Sequence, residues 1–264
     1  MSMTPRSEPV RERWATAGLL CGALVLYVVA ALATALLTGS AVAGAAVSNA
    51  VVFAAGVVWL RTQPRRGRST ALPGVPRPRA ASRRFWALSG LSLALCWLVG
   101  QAASVWLYSL VGSSGFDQHE AAKGSAPVWL TLLVVLLLAP MGEEMLMRGI
   151  AYTRLRRHLP PIGAAVLTSL VFSVLHLNVV QIAATLPLGI LLAAVYEQTG
   201  RLGAAVGLHA VFNLLSVMVP AAFVAGFATL AFVLIGGSML VLVLAQLYRP
   251  RAVVYGSETV PVKS

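Results

Sequence analysis

Six polar side chains stand where the sequence is otherwise apolar: Glu143, Glu144, Arg148, His176, His209 and Asn213. Glu144 and Arg148 are four apart, so on a helix they share a face and can pair. The arginine then has a counter-charge and that carboxylate stays ionised. Glu143 points about 100° away from its neighbour and is left for other work. His209 and Asn213 repeat the four-residue spacing, as do Phe172 and His176. A carboxylate and a histidine can bind and deprotonate a water. A second histidine and an asparagine amide can donate hydrogen bonds to a developing oxyanion. Together these groups suffice to hydrolyse a peptide bond, with no serine or cysteine nucleophile.

Other hydrolytic designs find less support. There is no HExxH zinc motif, and the sole aspartate, Asp117, excludes a two-aspartate mechanism. Ser169 and Ser173 lie near His176 but not in a Gly-x-Ser-x-Gly setting. Glu143, His176 and His209, with water as fourth ligand, also make an adequate zinc set, so the residues fit a metal-free and a zinc-dependent reaction alike. Each element has a plainer reading too. A Glu–Arg pair can lock two helices, and a lone histidine or asparagine can join neighbouring helices inside a membrane. Structure alone needs one carboxylate for one arginine. It does not need a second carboxylate beside it, nor two histidines and an asparagine on other helices.

The elements that must position these groups are membrane spans. Of 264 residues, 58% are hydrophobic and 11% charged, against roughly 45–50% and 25% in soluble domains. Eight apolar stretches are readable, at about 15–37, 41–60, 85–110, 128–152, 162–177, 179–197, 202–219 and 221–247. About 20 residues of helix cross the hydrocarbon. Pro140, just before the glutamates, predicts a kink or break in the fourth stretch. Counting inward along each stretch puts the six residues within a few turns of mid-membrane, where they can face one polar cavity.

The net charge of +12 does not point to nucleic acid, because eighteen of the twenty Lys and Arg residues fall in alternate connections and the tails. Lys123 is alone on the other side and Arg148 is within a span. That asymmetry puts both termini in the cytoplasm. The fold class expected is all-α, a polytopic transmembrane bundle of about eight spans. It divides into residues 1–127, with three spans and a basic cytoplasmic loop at 61–84; a core at 128–220; and a last span and tail at 221–264. The loop can lie on anionic lipid headgroups. Cys21 and Cys96 make no metal pair and no disulfide framework.

Glu143, Glu144, Met145, Leu146, Met147 and Arg148 resemble the EExxxR motif of the CPBP intramembrane proteases, which include the type II CAAX prenyl endopeptidases. Phe172 to His176 resembles that family's FxxxH motif, and His209 to Asn213 its HxxxN motif. Three motifs in order, each on a span, are specific; they cover about Val128 to Pro220. The resemblance implies that Glu143 activates water, His176 helps to hold it, Glu144 and Arg148 shape the site, and His209 with Asn213 forms the oxyanion hole. It implies an enzyme that needs no cofactor, with zinc as the alternative. Met147 departs from the family where an aromatic commonly precedes the arginine, and packing is its expected role. Tyr196 to Gly200 resembles a bacterial family segment, with Gly200 a helix cap.

The partners expected are the lipid bilayer and a membrane-associated peptide or protein substrate; the expected location is a bacterial cytoplasmic membrane. A non-catalytic scaffold on the same fold is the competing function. A proton-coupled carrier is a third, disfavoured because no internal repeat is visible.

Overall fold

The structure is a computed structural model that describes residues 10–62 and 81–248. The tails and most of the basic 61–84 loop, whose lipid contact and cytoplasmic placement the sequence suggests, lie outside the described residues. Among those described, every element is helical: α1 Val10–Thr38, α2 Ala41–Thr62, α3 Arg83–Val111, α4 Ser114–Ser125, α5 Val128–Leu155, α6 Pro161–Val174, α7 Val179–Thr199, α8 Leu202–Met218, α9 Ala221–Ala225 and α10 Leu230–Leu247. Six of them (α1, α2, α3, α5, α7 and α10) are long and apolar enough to cross a membrane, and α6 and α8 are shorter apolar helices. Large side chains such as Leu36, Leu37, Ile235 and Leu242 point outward. An apolar outer surface is what a lipid-facing bundle requires.

The boundaries follow local chemistry. Ser82, Ser113, Asn178 and Thr229 cap α3, α4, α7 and α10, each side-chain oxygen accepting a backbone N–H three residues on. Gly39 joins α1 to α2 with φ +66°, and Gly200 closes α7 at φ +62°; both need the left-handed region that glycine enters without a Cβ clash.

α7 is the hub. Leu188, Leu191, Leu192 and Val195 pack with Cys96, Trp97 and Ala102 of α3 and with Leu240 and Leu244 of α10. Its approach to neighbours depends on small residues, as membrane helix contacts do. A Cβ on Gly100 would come within 2.9 Å of the Ala184 Cα. One on Gly189 would come within 2.8 Å of Ser169. A further tight contact joins α2 to α5, where a Cβ on Gly142 would lie 2.6 Å from both the Cα and the carbonyl oxygen of Asn49. Backbone atoms cannot rotate aside, so Gly142→Ala should destabilise the protein by about 1–3 kcal/mol, the usual range for overpacking. Thermal unfolding in detergent measures this, and an unchanged midpoint would contradict the packing.

Three features differ from the sequence reading. The helix carrying Pro140 does not break. It widens into π-helical turns at Val134–Leu138 and Met145–Tyr152, a common response to a disrupted ladder at functional sites. The stretch at 162–177 ends early. α6 stops at Val174, and His176 lies in the turn before Asn178 rather than within a span. Asn178 starts the next helix, so the chain must reverse over three residues, and Leu177 takes a positive φ of 57° to do it. The last stretch, read as continuous from Ala221, is divided after Gly226, and α10 begins afresh where Thr229 caps it.

Candidate active site

The site is built on α5, with contributions from α6, α8 and the α6–α7 turn. Glu144 and Arg148 lie one turn apart and have no exposed surface. The Arg148 Nη1 donates to Glu144 Oε1 at 2.9 Å. Its Nη2 donates at 2.6 Å to the carbonyl of Gly189 on α7. The guanidinium carbon is 5.4 Å from the Phe172 ring centre, a cation–π arrangement in a dry setting. One arginine therefore ties α5 to α6 and α7. Met147 is buried with Val52, Leu146 and Phe172, so the departure from the family motif fills core.

Glu144 does more than pair with arginine. Its Oε1 also meets His209 Nδ1 of α8 at 3.0 Å. A carboxylate can only accept, so Nδ1 carries a proton, and the contact fixes the direction of the ring. The other ring nitrogen, Nε2, then faces Glu143, 3.7 Å from its Oε2. That is longer than a direct hydrogen bond, and leaves both atoms able to share one small ligand. The Glu143 side chain is 17% exposed where Glu144 is sealed. Adjacent carboxylates thus have separate surroundings, the usual basis for separate roles.

His176 is set apart from this pair. Its Nδ1 lies 3.0 Å from the Phe172 carbonyl, and its ring packs edge-on against Phe172 at 5.1 Å. The same Phe172 ring packs against His209 at 5.7 Å, so Phe172 holds both histidines. The structure brings His209, not His176, to Glu143. As placed, Glu143, His176 and His209 do not converge on a single point, and among the described residues no three His, Cys, Asp or Glu side chains are arranged to hold a metal.

Asn213 shares the His209 face of α8, as its spacing requires, and donates from Nδ2 to the Val135 carbonyl at 2.8 Å. The reason lies in α5. In the π-helical stretch Ala139 N–H bonds to the carbonyl of Val134. The next carbonyl in that register, Val135, would need the N–H of residue 140, which is proline. Asn213 supplies the missing donor, and one of its two N–H bonds remains for other use.

Two further groups were not singled out from sequence as site residues. Glu197 takes both Nε and Nη2 of Arg156 at 3.0 Å and the Tyr152 hydroxyl at 2.8 Å. This clamps the end of α7 to the chain after α5, and the carboxylate raises the pKa of Arg156 against the opposing effect of burial. The Glu-Gln-Thr-Gly segment was visible, but its partner forty-one residues away was not. Asn49 of α2 touches Gly142 and is 1% exposed. Its signal was available: an asparagine beside Ser48 within an apolar span.

With this geometry in view, the comparisons are direct. Residues 125–215 match the family described as Type II CAAX prenyl endopeptidase Rce1-like. No curated protein and no solved structure matches the chain. The match leaves α1, α2, α3 and α10 outside it. It contains all six polar residues of the three motifs, and over that segment the resemblance to the CPBP intramembrane proteases, of the Rce1-like kind, holds.

Proposed function

We propose that this protein is an intramembrane endopeptidase that hydrolyses a peptide bond of a membrane-associated peptide or protein with a water activated by Glu143. The observation that carries the reading is the partition of the two glutamates. Oε1 of Glu144 is engaged by both Arg148 and His209, whereas Glu143 makes no salt bridge to any described arginine, keeps some exposure, and faces the oriented Nε2 of His209.

The chemistry follows from these positions. Glu143 takes a proton from water as the oxygen attacks the carbonyl carbon, then returns it to the leaving nitrogen as the C–N bond breaks. Glu144 holds the Nδ1 side of His209 and so aims Nε2 at the reacting group; an N–H at Nε2, with the second N–H of Asn213 beside it on the same helix, would form the oxyanion hole. Arg148 balances the charge of the paired carboxylate. No resident cofactor is needed for these steps. The deciding experiment compares the membrane proteomes of cells making the wild-type protein or Glu143→Ala. Substrates cleaved only with the wild type support the reading, and identical proteomes favour a non-catalytic scaffold.

The same reading sets the protein in a bacterial cytoplasmic membrane with eight spans, six from the long helices and two from α6 and α8, and both termini inside. α4, with Lys123 and Glu120 paired at 2.5 Å, then lies outside. A single cysteine introduced at Ser113 should react with an impermeant thiol reagent added to intact cells, and one at Arg157 should not. The reverse pattern would invert the topology.

A further inference from the structure

The N-terminal hairpin, which lies outside the matched segment, packs on α5 at Gly142, the residue before Glu143. The Asn49 Nδ2 donates to the Ala45 carbonyl one turn back at 2.9 Å. That bond fixes which end of the amide is which, because a carbonyl can only accept. Oδ1 is thereby turned to α5, against Gly142, the residue before Glu143. Buried with no surface, it accepts no hydrogen bond from any described residue. Tyr27 of α1 is half-buried behind it. It packs with Val52 of α2 and Leu146 of α5 in one buried cluster. The buried Asn49 amide thus lies where α2 meets α5, at a contact one residue along the chain from Glu143.

An orphaned buried acceptor lowers stability, a cost that an apolar side chain would not carry. Such an arrangement beside a catalytic group is where a stability sacrifice serves function. The sign of the group matters. An amide oxygen offers nothing to an ionised carboxylate, which also only accepts. It is a partner for a carboxylic acid, whose O–H must be received by something. Glu143 takes that form only after it has removed a proton from water, so an acceptor at this place favours the intermediate over the resting enzyme.

On the reading of Glu143 as general base, we propose that Asn49 is a positioning residue whose Oδ1 accepts the O–H of protonated Glu143 between its formation from water and its transfer to the leaving nitrogen. No net proton is gained or lost, since the proton that left the water departs with the amine. The first two helices then belong to the active site as well as to the membrane anchor, and the site is incomplete within 125–215 alone.

The test uses full-length protein in detergent and a reporter peptide spanning a cleavage site found in the proteome comparison. Asn49→Leu should still fold, lower kcat about tenfold or more, and leave KM within about twofold, since uniform binding is untouched. Asn49→Ala is the second variant, with the same expected split of kcat from KM. A kcat within twofold of wild type in either folded variant overturns the proposal. So does a loss of activity that comes with a lower unfolding temperature and a raised KM, or failure of both variants to fold, each of which marks a structural role. Glu143→Gln is run alongside. If it retains activity, the reading of the base fails; if it is inactive while Asn49→Leu is not, only the role of Asn49 fails.

Discussion

Glu143→Gln should abolish peptide hydrolysis while the protein still inserts, purifies and unfolds at the wild-type temperature. Removal of a general base typically lowers a rate by about 10²–10⁴-fold, and the loss is larger where the same group also holds the water. The expectation of intact folding is the sharper half. Glu143 is not the partner of Arg148; that is Glu144, with both side chains at zero exposure. Glutamine keeps the size and one acceptor of Glu143 and leaves the buried pair alone. Full activity in this variant would refute the assignment. A wild-type enzyme that a chelator inactivates and zinc restores would keep the site but replace the metal-free reaction with a metal-dependent one.

The parts of this site that could be read from sequence are those carried by one helix. Glu144 and Arg148 pair because residues four apart must meet on a helix. The cost of placing charge in lipid selects the same residues without any structure. What could not be read is the third dimension. Nothing in the spacing says that Glu144 shares its oxygen between Arg148 and a histidine sixty-five residues away. His176 follows Phe172 by four, yet its ring hangs from a turn, because the cap at Asn178 shortens the helix. The effect of Pro140 was foreseen as a kink. It appears as a π-helical turn, and only that register explains why Asn213 spends one N–H on Val135. The helix class was legible because apolar length fixes it, whereas the division of 221–247 rests on a threonine cap that hydropathy does not register.

Arg148→Ala should be the most destabilising single change in the protein. The side chain holds Glu144, the Gly189 carbonyl and the Phe172 face, and it does so with no solvent to take over. Deleting one member of a buried pair strands the other charge, at a cost of about 3–5 kcal/mol. Glu144→Gln should cost less, because the amide oxygen still accepts from Nη1, but it weakens the anchor that aims His209, so activity falls with stability. Arg148→Lys should not rescue. A single ammonium cannot reach both Glu144 and Gly189 in the fork geometry of a guanidinium. The informative variant is the double change Glu144→Leu with Arg148→Met. Replacing a buried pair by apolar groups of similar volume is often neutral or better for stability, so it should unfold well above Arg148→Ala alone. It should nevertheless be inactive, since His209 has lost its Nδ1 partner while Glu143 is intact. Thermal unfolding and reporter cleavage on the four proteins separate the two roles. A double variant that regains both stability and activity would show that the buried pair serves only to hold helices together.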